Sequence, residues 1–216
     1  MKRVLLMLFT CILTMSLISC GDADKYDKEN YIGAADVEKY VKDMGITREE
    51  MSSFTIDGDK AYMNGDISKD TIRQIKKLIK DYPNVKTIVM QYVGGSVDDV
   101  SNLKASRLVR EAGLNTHVPK DGLIASGGTD FFCAGVNRTT EEGAQIGVHS
   151  WAGDDITNAA ELPREDPSHQ KYIDYYKEME MPDPEGFYFF TINAAVADDM
   201  HFMTVEELQT YGLVTE

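Results

Sequence analysis

From Lys60 onward the hydrophobic pattern switches back and forth between strand and helix periods. KAYMNGDI, residues 60–67, carries apolar residues at alternate positions and predicts a strand. Ser68 then caps a predicted helix in which Ile72, Ile75, Leu78 and Ile79 fall on one face. TIVMQYV, Thr87 to Val93, is a nearly continuous apolar run, as expected of a strand buried on both faces. Gly94 and Gly95 follow at once, and Ser96 starts a helix carrying Val97, Val100, Leu103 and Leu108 that Gly113 closes. THV, residues 116–118, supplies another strand, and Leu123 to Ala125 leads into a short helix after Ser126. Alternation of this kind implies an α/β fold with a largely parallel sheet. In such sheets ligands collect beyond the carboxyl ends of the strands, where the Gly94-Gly95 and Ser126 turns both fall.

The first 59 residues follow a different logic. Lys2 and Arg3 precede an apolar run from Val4 to Ile18 without an acidic residue, the pattern of an export signal; an uncleaved membrane anchor is the alternative, although the run is barely long enough to span a bilayer. It ends in Leu17-Ile18-Ser19-Cys20, which resembles the bacterial lipobox, so Cys20 is expected to become the acylated first residue of a mature lipoprotein. Residues 1–19 are thus a signal peptide, 20–35 a polar tether and 36–216 the folded domain. Gly21 to Asn30 is polar and charged, as a solvated tether is. Asp36 to Met44 predicts a helix, and Thr47 with Glu50 has capping-box spacing for a second. The location this implies is the bacterial cell envelope, outside the cytoplasm and held to the bilayer through Cys20.

Charge and cysteine content narrow the partners. Lys2 and Arg3 leave with the signal, so the mature chain sets 20 basic against 36 acidic residues, a formal charge of −16. Nucleic acid is excluded as a partner, because binding it rests on Lys and Arg neutralising phosphates. Cys11 leaves with the signal and Cys20 is committed to lipid, so Cys133 stands alone and no intrachain disulfide is expected. In FFCAG, Cys133 suits a small buried side chain. His117, His149, His169 and His201 are scattered without metal-ligand spacing, so neither metal nor cofactor is expected.

The candidate chemistry lies between Leu123 and Ser150. Ser126 stands between Ala125 and Gly127-Gly128 at a strand-to-helix junction, and the first N–H groups of a helix lack internal partners. Nucleophile and oxyanion donors can therefore share one turn. Gly94-Gly95 forms neither a GxGxxG nor a GxxxxGK[ST] phosphate loop, and Asp98 and Asp99 would repel phosphate. The pair either simply permits a tight turn and close packing or serves a singly charged, transient oxyanion, to which the Gly95 and Gly127 N–H groups could both donate. His149, closing the apolar run AQIGVHS, is the base available to Ser126.

Val93-Gly94-Gly95-Ser96-Val97, Ala125-Ser126-Gly127, Gly147-Val148-His149 and the closing run from Phe202-Met203-Thr204 to Leu213-Val214 resemble, in order, the Clp protease proteolytic-subunit family of the ClpP/crotonase superfamily. The resemblance spans about residues 58 to 216. It implies a repeated ββα spiral with a helical excursion before the C-terminal segment. It also implies a serine peptidase with Ser126 as nucleophile, His149 as base and an aspartate orienting the histidine. The family's aspartate position falls on Met200, a departure from the pattern, which leaves Asp199 as first candidate, Asp198 as second, and Asp154 or Asp155 farther off. A serine-histidine dyad without a carboxylate is the alternative.

An α/β-hydrolase arrangement would instead enlist Asp166 or Asp174 with His201, but Ile124 stands where its GxSxG elbow has the first glycine. Between His149 and the C-terminal segment lies an excursion, with a helix starting at Asp166-Pro167, carrying His169, Ile173, Tyr176 and Met179 along one side, and ending at PDPEG. The resemblance places a subunit-joining handle here, which makes a homo-oligomer the expected assembly. Tyr172, Tyr175 and Tyr176 then either face a partner subunit or pack on their own domain. Trp151 is placed to line the substrate cleft or to pack at its rim. The expected function is a membrane-anchored, extracytoplasmic serine hydrolase acting on peptide or protein. The competing class is a non-catalytic binding or scaffold lipoprotein of the same fold, and the thioester chemistry of the crotonase branch is disfavoured where coenzyme A is absent.

Overall fold

The computed structural model describes residues 30–34, 50–153 and 155–215. The expected signal, Cys20, most of the tether, the two helices expected after Asp36 and Thr47, and Asp154 lie outside the described residues. Strands β1 (Tyr31–Ile32), β2 (Ser53–Asp57) and β3 (Lys60–Asn64) form an antiparallel edge, with Tyr31 opposite Thr55 and Asp57 opposite Lys60. Tyr31 and Ile32 fall within the expected tether yet belong to the sheet, because Ile32 is an apolar anchor, buried against the core. The β2–β3 turn works because Gly58 adopts a positive φ of 59°.

The parallel part begins with helix α1 (Thr71–Asp81) and strand β4 (Thr87–Val93), which lies parallel to β3 with Ala61 opposite Ile88. On its other edge β4 meets two neighbours in succession. Its first half pairs with β5 (Asn115–Val118), Thr87 opposite Asn115, and its end pairs with β6 (Leu123–Ala125), Val93 opposite Ile124. The sheet therefore forks along β4. One arm continues to β7 (Arg138–Thr140), the other through β8 (Gln145–Val148) to antiparallel β9 (His201–Phe202). Helices α2 (Asp99–Glu111), after β4, and α3 (Gly127–Cys133), after β6, carry the chain between the arms.

Several local expectations shift. On α1 the buried residues are Thr71, Gln74, Ile75 and Leu78, while Ile79 is exposed. Gln74 takes the fourth inward place because its amide is fully used: Ser52 Oγ donates to its Oε1 at 2.6 Å and its Nε2 donates to the Ser52 carbonyl at 2.6 Å. At the end of β4, Gln91 and Tyr92 are exposed, so that strand is covered on both faces only in its first part. The cap of α2 is Asp98, whose carboxylate accepts from the Ser101 N–H at 2.9 Å, and not Ser96. Ser96 instead extends the parallel pairing by bridging to Ile67.

The excursion holds two α-helices where one was expected. A 3-10 turn at Pro167–His169 leads into α4 (Gln170–Glu178). PDPEG does not end the segment: Asp183 accepts from the Gly186 N–H at 2.9 Å and caps α5 (Pro184–Ala194), with proline in its first turn where its missing N–H costs nothing. Tyr172, Tyr175 and Tyr176 are 4%, 0% and 1% exposed. They pack within their own chain and are unavailable to a partner subunit. Arg107 pairs with Glu178 and Arg110 with Glu180, tying the end of α4 to α2.

The C-terminal helix α6 (Val205–Thr210) opens with a capping box of Thr204 and Glu207. Beyond it, buried Arg138 closes the domain. Its guanidinium donates to the carbonyls of Leu213 at 2.8 Å, Gly212 at 3.0 Å and Gly135 at 3.1 Å. Arg138→Met keeps the stem but leaves the Leu213 and Gly212 carbonyls without their donor, while Gly135 keeps the Arg110 guanidinium at 2.9 Å, so it should destabilise the fold by about 3 kcal/mol. Urea denaturation reads this as a lower midpoint at unchanged slope.

Candidate active site

The peptide path at the end of β6 decides where Ser126 points. Ser126 has φ 53° and ψ −127°, a conformation that costs a non-glycine residue about 1–3 kcal/mol and persists only where the surroundings fix it. Three contacts fix it here. The Ser126 N–H donates to the Gly147 carbonyl at 3.0 Å, the Thr129 N–H donates to the Ser126 carbonyl at 2.8 Å, and Thr129 Oγ1 donates to the same Gly147 carbonyl at 2.8 Å. The two following glycines are required by space: a Cβ on Gly127 would lie 2.3 Å from Ser96 Oγ, and one on Gly128 would lie 2.4 Å from the Val93 carbonyl oxygen. The N-terminus of α3 is thus pressed against the ends of β4 and β6, with its first N–H groups beside the serine.

Ser126 and His149 line one cavity of about 430 Å³, counting its open mouth, together with Gly127, Trp151 and residues of α4 and α5. No hydrogen bond joins Ser126 to His149 among the described residues. His149 Nδ1 lies 2.9 Å from the Ala197 carbonyl oxygen. A carbonyl only accepts, so Nδ1 carries the proton and Nε2 is the lone-pair nitrogen, the tautomer a general base requires. The partner of Nδ1 is therefore a backbone carbonyl and neither expected aspartate. Asp199 is exposed and accepts from the Met200 N–H at 2.8 Å; Asp198 and Asp155 are exposed. Met200, at the position the resemblance gives to aspartate, packs its thioether over Gly147, where a Cβ would come within 2.7 Å of the sulfur.

Gly95 lies against the serine, since a Cβ there would be 3.5 Å from Ser126 Cβ. The carboxylate of Asp66 stands next to it. Burial pushes Asp66 above the usual carboxylate range, while the N–H groups of Gly95 and Gly94, turned toward it, pull the other way and Glu50 adds to the rise. The Gly95 N–H thus already has the Asp66 carboxyl as a neighbour.

The α/β-hydrolase alternative has no assembled site. His201 Nε2 meets the Glu207 carboxylate at 2.9 Å, Asp166 accepts from the Ser168 N–H, and Asp174 accepts from the Gln170 amide at the surface. Cys133 is buried and its thiol is pushed up to about 12, which removes it as a nucleophile. Among the described residues, no three His, Cys, Asp or Glu side chains gather as a metal site.

No protein-family model matches this chain, and no curated protein matches it in sequence. Solved structures do match its fold. One is the 1510-N membrane-bound stomatin-specific protease, as a lysine-to-alanine mutant in complex with a substrate peptide: 17% identity, 71% of each chain covered, TM-score 0.50. A serine-to-alanine mutant of that protease matches at 18% identity over 71% of this chain and 75% of the other, TM-score 0.48. This chain has a ClpP/crotonase-like α/β fold. The fold class is the one the sequence resemblance implied; the fork of the sheet along β4 is visible only in the structure.

Residues to which sequence patterning gave no place in the site complete the cavity. Asp99 and Asp130 both line it, with Tyr172, Tyr176 and Tyr188. Burial pushes the Asp130 carboxyl up to about 7, opposed by the Tyr176 hydroxyl and reinforced by the charge of Asp99. The only signal in sequence was an acidic residue within the apolar run after Ser126. An acid raised in the folded state holds its proton where the unfolded chain has released it, so its charge works against folding as pH rises toward 7. Stability should therefore fall between about pH 4 and 7, and Asp130→Asn should flatten that fall in denaturation midpoints taken across the range.

Proposed function

We propose that this protein is a serine hydrolase, and specifically a peptidase, built on a Ser126–His149 dyad. The observation that carries the proposal is the pairing of a strained, cavity-facing Ser126 with a histidine whose Nδ1–H is held by the Ala197 carbonyl, in one cavity. The fold shared with a protease solved with a substrate peptide supports it. In the proposed reaction His149 Nε2 takes the proton from Ser126 Oγ as the oxygen attacks an acyl carbon. The imidazolium is oriented by the Ala197 carbonyl, and the proton passes to the leaving amine. Water then repeats the sequence on the acyl-enzyme. The Gly127 N–H at the start of α3, with the Gly95 N–H once drawn from Asp66, would donate to the oxyanion. A carbonyl orients the ring but neutralises no charge, so turnover is expected below that of a carboxylate triad.

In this proposal Asp199 and Asp198 do not contribute to the reaction. Location belongs to the proposal as well: the basic, then apolar start and Leu17-Ile18-Ser19-Cys20 support export and acylation at Cys20. Among the described residues no helix is long and apolar enough to cross a membrane.

A fluorophosphonate probe should label the intact protein at Ser126. Ser126→Ala should abolish adduct and peptide hydrolysis, His149→Ala should lower hydrolysis at least about a hundredfold, and Asp199→Ala with Asp198→Ala should leave it within about twofold. An unlabelled, correctly folded protein whose hydrolysis survives Ser126→Ala would remove the proposal. For the anchor, Cys20→Ser in the producing bacterium should move the protein from the membrane to the soluble fraction; unchanged fractionation would rule lipidation out.

A further inference from the structure

Resting on the peptidase reading of Ser126 and His149, we infer that the cavity beside the serine takes a basic side chain. A lysine or arginine flanking the scissile bond would sit between the carboxylates of Asp99 and Asp130 and the rings of Trp151, Tyr172 and Tyr188.

The first ground is a missing cation. Several carboxylates of the folded chain have a basic partner: Arg73 on Asp70, Arg107 on Glu178, Arg110 on Glu180, Arg164 on Glu185, His201 on Glu207. Asp99 and Asp130 lie close enough for the charge of one to raise the other, yet no basic side chain of the described residues pairs with either. A desolvated carboxylate such as that of Asp130 is costly unless a cation joins it.

The second ground is preorganisation. Asp99 is gripped by the Ser96 hydroxyl at 2.9 Å on Oδ1 and by the Tyr172 hydroxyl on Oδ2. Asp130 receives the Tyr176 hydroxyl on Oδ1 at 2.5 Å, and its Oδ2 has no donor. No buried side-chain oxygen of the described residues goes unpaired, so Oδ2 keeps its access to the cavity. Carboxylates fixed by hydroxyl donors need no rearrangement to receive an ammonium or guanidinium, and charge-assisted bonds of this kind are about twice as strong as neutral ones.

The walls give a third ground. Tyr172 stacks on Tyr188 with centroids 5.5 Å apart, and Trp151 Nε1 donates to the Tyr188 hydroxyl at 3.0 Å, which makes a rigid aromatic panel. The chain itself shows what this panel attracts: the Lys171 ammonium lies 4.6 Å from the Tyr172 centroid and 5.5 Å from that of Trp151. An acidic side chain would meet two like charges, and an apolar one would strip both carboxylates of water without replacing it.

Asp130 also gives the preference a pH signature. The groups facing it are Asp99 from α2, Cys133 of its own helix, Tyr172, Tyr175 and Tyr176 from α4, Tyr188 from α5, and His149 across the cavity. With its carboxyl at about 7, Asp130 is largely neutral below that pH and charged above it. The preference for a cation should therefore rise as pH rises through 7.

The test has two arms. Internally quenched peptides, identical except for lysine or norleucine on either side of the bond, should be cleaved with a preference for lysine of about tenfold to a hundredfold in kcat/KM. Asp130→Asn or Asp99→Asn should each cut that ratio by about tenfold, and Asp130→Asn should abolish its dependence on pH near 7. The ratio cancels effects common to both peptides, including His149 protonation and partial loss of folded protein. The second arm needs no turnover. On Ser126→Ala, benzamidine should bind more tightly than benzamide by NMR titration, and Asp130→Asn should remove the difference. Hydrolysis with no lysine preference, or equal binding of the two probes, would overturn the inference and leave the peptidase intact. A benzamidine preference without Ser126-dependent hydrolysis would sustain the cation site while the peptidase fails.

Discussion

The close approach of one helix N-terminus to the ends of two strands governs this molecule. α3 can press against β4 and β6 only because Gly127 and Gly128 carry no Cβ, and the space a Cβ would need is filled by the Ser96 hydroxyl and the Val93 carbonyl. That contact forces the sharp path through Ser126 and holds its positive φ. The Gly147 carbonyl, accepting from both the Ser126 N–H and Thr129 Oγ1, locks the turn to β8. Since β8 leads directly into His149, one carbonyl sets the position of the serine and the strand that delivers the base.

The excursion then turns an exposed turn into a site. α4 and α5 bring Tyr172, Tyr176 and Tyr188 over the serine and wall in Asp99 and Asp130, and the Tyr175 hydroxyl, donating to the Asp130 carbonyl at 2.6 Å, fastens α4 to α3. Of the two readings open for Tyr172, Tyr175 and Tyr176, packing on their own domain is the one this burial fits. The excursion also ends where Ala197 meets His149, so a single insertion supplies the cavity wall and the hydrogen bond that selects the histidine tautomer.

Strands β3 to β6 and β8 were legible because burial imposes its period on sequence: TIVMQYV and Leu123 to Ala125 needed no tertiary information. The hairpin partner β2 and strand β7 escaped, since SFTID and RTT are short and only partly apolar, and their stability comes from the neighbour each pairs with. Gln74 escaped for a related reason. Its inward place depends on Ser52, a residue 22 positions away that no periodicity links to it. In α5, FYFF is apolar on every side, so a 3.6-residue period had nothing to show.

At the site, sequence determined the local chemistry: the small residues around Ser126, the glycines before the preceding helix and a histidine at a strand end are all features of one short segment each. Local sterics act over a few residues, and a chain records them locally. Tertiary structure alone decided what surrounds that chemistry. The partner of His149 is a backbone carbonyl, which every residue possesses and no side-chain pattern can announce. Asp99 and Asp130 are separated by the length of α2 and by strands β5 and β6, and they share a cavity only because the sheet forks at β4 and the excursion folds back across the opening.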